Sequence, residues 1–242
     1  IIDKLLGVGS LIKDRAVAES GYSKRLIHNR LAEIDTPVPP INYFSHHRAH
    51  AASAFYFSSF EEAIVITADG KGEHESTVVW KGSPTGLQRI RSYRFPNSLG
   101  RFYRAFCEFL GYPRKSRAEG KLMALAPYGS QNLSIRSQIE SKITVGANYD
   151  VSYFADRGAA GLESIFGISR NKNPGDFSKW EKDLAYTAQR ILEDIIQSIA
   201  TTYTSDAQSS NLCLAGGVML NCKLNQHLRT LDTVSQLFIQ PA

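Results

Sequence analysis

The chemistry-bearing residues of this 242-residue chain crowd into one stretch, Ser45 to Glu75, which holds four of its six histidines. His46 and His50 are four positions apart, so on a helix their imidazoles lie on one face, one turn apart. That spacing lets both reach one metal ion, as in the HExxH motif, although the glutamate of that motif is missing; the same spacing also arises by chance. His47 points elsewhere on such a helix and is expected to make an ordinary hydrogen bond. Asp69 follows an apolar, β-branched run, AIVITA, where a strand opens into a turn and a carboxylate can face a cleft. One aspartate and two histidines suit divalent iron, zinc or manganese, with coordination positions left for substrate. Asp69 could equally be only a turn-former before Gly70.

These groups need elements to hold them. Residues 45–60 read as an alanine-rich helix with Ser45 as N-cap. Residues 63–68 read as a strand buried on both faces, 76–81 as its antiparallel partner and 87–95 as a third strand, with turns at 69–73 and 82–86. Asn97-Ser98 caps a helix whose Leu99, Phe102, Ala105, Phe106, Phe109 and Leu110 keep helical spacing, ended by Gly111. A short helix is expected over 118–127, closed by Pro127, and the clearest helix over 183–203. LCLAGG then reads as a strand, VMLNCKLNQHLRT as a helix and LFIQPA as a further strand. Residues 1–31 look helical in pieces with Gly21 as a break, the prolines of 34–44 enforce an extended link, and 129–180 is loop-rich and hard to read. Strand, hairpin, helix, strand and helix make an α/β pattern with mixed sheet direction.

Several groups on this framework could receive an anion. Gly70 and Gly72 bracket Lys71 in a turn whose amides could face a phosphate, or could simply satisfy a tight hairpin. Gly216-Gly217 lies between a strand and a helix, where α/β folds bring backbone close to a nucleotide; a close helix–strand crossing is the alternative. Asn221, one turn into that helix, reaches either a ribose or solvent. The basic loop Arg114 to Arg117, with Glu119 and Lys121 after it, is either a phosphate contact or a solvated face. Glu73 and His74 either line the same cleft or are solvated. Aromatic residues between 102 and 112 fit a core-facing helix better than a base-stacking platform. No Ser-His-Asp arrangement, Walker A loop or zinc-finger spacing is present.

With 43% apolar residues the chain can bury a substantial core, and its net charge of +5 is scattered, which suits an anionic small molecule at least as well as nucleic acid. Three cysteines without CxxC spacing read as reduced thiols of a cytoplasmic protein, not metal ligands. No apolar run approaches the ~18 residues that span a bilayer. The abrupt opening, IIDKLLG, without Met, suggests a fragment.

HHRAHAASAF, ITADGKGE, NSLGRFYRAF, EGKLMALAPYG and LAGGVMLNCKLN, in this order over roughly residues 45 to 225, resemble the O-carbamoyltransferases of nodulation-factor and antibiotic tailoring. The resemblance implies the actin/sugar-kinase/Hsp70-like ATPase (ribonuclease-H-like) fold, a mixed sheet with flanking helices, shared with the tRNA threonylcarbamoyl-transfer protein and the hydrogenase-maturation carbamoyltransferase. It implies transfer of a carbamoyl group from carbamoyl phosphate, through an ATP-derived carbamoyl-adenylate, to a hydroxyl of a small-molecule acceptor. By that resemblance His46, His50 and Asp69 hold a metal, commonly iron. Gly216 and Gly217 sit against the adenylate with Asn221 beside them, and Gly70, Gly72 and Lys121 complete the expected cofactor contacts. Departures from the family pattern also enter the expectation. Its early phosphate-contacting hairpin, a further ligating aspartate beyond LFIQPA and a separate YrdC-like domain have no match in the sequence, and Ala124 stands where the family often has glycine. A partial catalytic domain, incomplete at both ends and divided near residue 128 into a metal-bearing lobe and a nucleotide-binding lobe, is the resulting expectation, with activity of this chain alone not expected. A relative acting on tRNA or on a protein, or a non-catalytic nucleotide-binding module, are the alternative readings.

Overall fold

The computed structural model describes residues 20–33, 40, 42–114 and 116–240. Helix α1, Ser20–Ala32, runs through Gly21 where a break was expected, since glycine in a first turn weakens a helix without stopping it. Residues 1–19 and most of the proline-rich link lie outside the described residues.

The architecture is the expected α/β one: a five-stranded mixed sheet with flanking helices, in the order β3-β2-β1-β4-β5. β1 (Ala63–Ala68) occupies the centre, antiparallel to β2 (Glu75–Ser83) and parallel to β4 (Asn211–Ala215). β3 (Gly86–Arg94) pairs antiparallel with β2, and β5 (Gln236–Ile239) parallel with β4. All six residues of β1 are buried. Alternation divides them between two cores. Ala63 and Val65 face a small cluster with Ala51, Ala54 and Phe55 of α2, His46–Phe55. Ile64, Ile66 and Ala68 face a larger cluster built on α3 (Leu99–Phe109) and the long α8 (Lys179–Ala207). The sheet and this cluster both draw on residues before and after position 128, the point suggested for a division into lobes.

Helix boundaries follow local chemistry. Ser98 caps α3, its Oγ accepting from the Arg101 N–H at 3.1 Å. α8 opens with a capping box in which the Ser178 and Glu181 side chains each take the other's backbone N–H. Helix α4, Glu119–Leu125, does not stop at Pro127 but tightens into a 3-10 turn over Ala126–Tyr128 that contains it, because proline fits the first turn of such a helix. The loop-rich stretch 129–180, which the sequence leaves hard to read, carries α5 (Leu133–Glu140), α6 (Tyr153–Arg157) and α7 (Ala159–Phe166). These five- to eight-residue helices are too short to display a helical period, and their existence depends on burying Ile135, Ile139, Phe154 and Leu162 against the core.

Candidate metal centre and cleft

Side chains alternate along a strand, so Asp69 emerges on the same side of the sheet as Ala63, Val65 and Thr67, the side covered by α2. Its N–H still pairs with the Ser76 carbonyl at 2.8 Å, which carries the strand direction one residue past β1. His46 and His50, one turn apart on α2, meet it there: their Nε2 atoms lie 2.9 and 3.1 Å from Asp69 Oδ2. One ligand atom from each of the three falls within 4.8 Å of the others, and the two imidazoles stand edge-to-face at 4.6 Å. The donor set, two imidazole nitrogens and a carboxylate oxygen converging on one point, fits a borderline divalent cation.

The second carboxylate oxygen has a different task. Asp69 Oδ1 accepts the Gly217 N–H at 2.7 Å, which ties the strand end to the turn after β4. Burial opposes ionisation of Asp69, but the hydrogen bonds from His46, His50 and the Gly217 amide outweigh it and hold the carboxyl well below the usual range. The Asp69 hydrogen bond likewise outweighs partial burial at His46 and raises its pKa.

His47 does point elsewhere. It is buried, with Nδ1 2.9 Å from Thr67 Oγ1 and Nε2 3.1 Å from the Glu75 carbonyl, so it ties α2 to the β1–β2 hairpin. A carbonyl only accepts, which places the ring proton on Nε2, and burial lowers the ring's pKa. Ser45 makes no side-chain cap; Glu73 takes that place, its Oε1 accepting the His46 N–H at 3.2 Å. His74 is exposed.

The expected glycines divide by role. A Cβ on Gly72 would stand 2.9 Å from the His47 ring, and one on Gly216, whose φ is +95°, would stand 2.5 Å from the Ala68 carbonyl. Both are therefore required by close approach beside the His46, His50 and Asp69 cluster. Gly70 and Gly217 line a cleft of about 440 Å3 that opens from Asp69. Tyr103, Arg104, Glu119, Met123 and Leu192 form much of the remaining wall. Arg104 reaches across from α3 and donates from Nε and Nη2 to Glu119 Oε1 at 2.8 and 2.6 Å. Arg117, at the same cleft with φ of +46°, forms no ion pair among the described residues.

Two expected contacts are placed differently. Lys121 is exposed, with Nζ 5.3 Å from the centre of the Tyr112 ring, and does not line the cleft. Asn221 lines it but is not one turn into a helix. The residues before it, Gly217–Leu220, form a 3-10 turn, and Asn221 is the N-cap of α9, Cys222–Arg229, accepting the Leu224 N–H at 3.0 Å. Asparagine is a preferred cap and thus resets the helix start. The sequence reading missed Tyr103, Gln189 and Glu193, which join Asn221 in a buried polar network. Its legible trace was a polar pair four residues apart inside the otherwise apolar stripe of α8.

With this geometry in hand, comparison with known proteins is informative. Residues 7–242 match the carbamoyltransferase N-terminus family. An uncharacterised protein of Synechocystis is 34% identical over 93% of this chain and 38% of its own length. The nodulation proteins NolNO of Sinorhizobium fredii and NolO of Bradyrhizobium diazoefficiens are each 33% identical, over 91% and 82% of this chain and 32% and 35% of theirs. The crystal structure of T. kodakarensis HypF aligns with 90% of this chain and 36% of its own, at 17% identity and a TM-score of 0.42. The chain thus spans between about a third and two fifths of the length of the curated relatives it matches. Five sequence blocks that resemble one family, and a match across nearly the whole chain, lead to one assignment: the chain belongs to the carbamoyltransferase family, in its N-terminal region.

Proposed function

We propose that this chain forms part of a carbamoyltransferase, in which His46, His50 and Asp69 hold a divalent metal ion at the mouth of a nucleotide-binding cleft. The observation that carries the reading is the convergence of these three side chains, from two separate elements, at the head of a 440 Å3 cleft in a chain of this family. When bound, the ion supplies Lewis-acid stabilisation of charge developing on phosphate or carbamoyl oxygens. The remaining work falls to the chain itself. Gly217 fixes the orientation of the Asp69 carboxylate through its amide. Met123, Leu192, Val218 and Leu220 offer apolar wall on which an adenine ring can shed water, and Arg117 offers positive charge to a phosphate.

The donor in this reading is carbamoyl phosphate and the activated species a carbamoyl-adenylate made from ATP at a YrdC-like domain outside this chain. Transfer forms a bond from the acceptor hydroxyl oxygen to the carbamoyl carbon, breaks the carbon–oxygen bond to AMP, and releases the hydroxyl proton. Iron is the metal favoured by the family resemblance, and zinc or manganese satisfy the same ligands.

The test is an assay of the intact protein with carbamoyl phosphate, ATP and a set of hydroxyl-bearing small molecules. The expected result is formation of a carbamate ester with release of AMP. ATP binding without any carbamoyl turnover across that set would make the protein a nucleotide-binding module instead.

A further inference from the structure

In the cleft wall and behind it lies a set of polar side chains outside the His46, His50 and Asp69 cluster. Gln189 is buried in the middle of α8, and Glu193, buried one turn later, holds it in one orientation. Glu193 Oε2 accepts from Arg190 at 2.6 Å, and its Oε1 accepts the Gln189 Nε2–H at 2.7 Å. A carboxylate can only accept, so the amide nitrogen of Gln189 faces Glu193 and its oxygen faces the cleft side. That oxygen accepts from the Tyr103 hydroxyl at 2.7 Å and from Asn221 Nδ2 at 2.9 Å, while Gln189 Nε2 also donates to Asn221 Oδ1 at 3.1 Å. Gln189 and Asn221 therefore form a reciprocal pair of amide hydrogen bonds. Asn221 Oδ1 accepts in addition the Leu224 N–H that starts α9.

This pair fixes the far end of the 3-10 turn Gly217–Leu220, whose near end is the Gly217 amide on Asp69 Oδ1. We propose that Gln189 is a positioning residue for the metal centre: through Asn221 it holds the 217–220 turn so that Gly217 engages Asp69 Oδ1 and leaves Oδ2 to face His46 and His50. The inference rests on the metal reading above and extends it to a helix that contributes no ligand. It also gives buried, fully hydrogen-bonded polar groups in an apolar stripe a reason to be there, because apolar side chains would fill the same volume without fixing a direction.

The test compares cobalt(II) binding to the intact protein for wild type, Gln189→Met and Asn221→Asp, by equilibrium titration and by the visible absorption of the bound ion. Methionine keeps the volume and loses every hydrogen bond of Gln189. Aspartate keeps the α9 cap but replaces the amide donor to Gln189 with a carboxylate oxygen that repels Gln189 Oε1. Each variant is expected to bind cobalt(II) about 10- to 100-fold more weakly, with a shifted absorption spectrum, the range known for partners that orient a metal ligand. The double variant should be no weaker than the worse single one, because both act on one link. Unchanged affinity and spectrum in the two variants, beside a wild type that binds, overturns this inference alone. A wild type that binds no cobalt(II) overturns the metal reading and this inference with it. Loss of the fold in both variants also overturns it, since the network would then serve stability and not the site.

Discussion

Asp69 uses its two carboxylate oxygens for different purposes, one turned to the histidines and one held by a backbone amide. That division holds the side chain in one orientation, because both of its oxygens are engaged. Metal analysis of purified intact protein should find a divalent ion in the wild type and a large loss in His46→Ala and in His50→Ala; unchanged content in both would remove these residues from the ligand set. The thiols provide a second residue-scale expectation. Burial pushes Cys213 up to about 11 and raises Cys107 as well, while Cys222 is exposed at the start of α9. A maleimide reagent at neutral pH should therefore label Cys222 rapidly and the other two only after unfolding, read by mass spectrometry of peptides. At this scale the convergence of His46, His50 and Asp69 was legible because imidazole spacing and a strand end are local facts. Lys121 and Asn221 were harder: the Lys121 side chain turns to Tyr112, and Asn221 starts α9 as its cap where the sequence suggested a longer helix.

Among the elements, the start of α3 packs against the site without supplying any of its three converging side chains. A Cβ on Gly100 would stand 2.7 Å from the Gly70 backbone, so the first turn of this helix packs directly on the turn that follows Asp69. Ser98 reinforces the contact by donating from Oγ to the Gly70 carbonyl at 2.7 Å. Gly100→Ala gains up to ~1 kcal/mol of helix propensity but forces backbone apart in a packed region, a cost of about 1–3 kcal/mol. A net loss of stability in urea unfolding, with weakened metal binding, is the expected outcome; a more stable protein with intact metal binding would show that the close approach is not required. The strands and the longer helices were readable in advance. AIVITA matches β1 residue for residue, and the stripe of α8 from Leu184 to Ile199 is apolar but for a few polar residues such as Gln189 and Glu193. The short helices between 133 and 166 were not, since their order comes from the core they cover and not from their own pattern.

On the scale of the molecule, β1 and β4 run parallel at the centre of the sheet, and the site lies just beyond the carboxyl ends of both. Open α/β sheets place ligands in that position because the strands deliver polar turns there while helices wall the crevice. Each component has a distinct sequence origin: Asp69 from the β1 end, the Gly217 turn from the β4 end, and the histidines from a helix that crosses the opposite face to α3 and α8. A nucleotide that occupies the cleft would bridge α3, α4 and the Gly217 turn, so ATP should raise the melting temperature of the intact protein, by mass action on the folded state. No shift at millimolar ATP would argue against a nucleotide as the cleft's ligand. Among the described residues no helix is long and apolar enough to cross a membrane.

The central claim, that this metal centre serves carbamoyl transfer, is tested most directly by following label from radioactive carbamoyl phosphate in metal-loaded intact protein supplied with ATP and hydroxyl acceptors. The wild type is predicted to move the label into a carbamate ester, and His50→Ala to form no labelled ester. Equal transfer by the two proteins, or none by the wild type with any hydroxyl acceptor, would contradict the account.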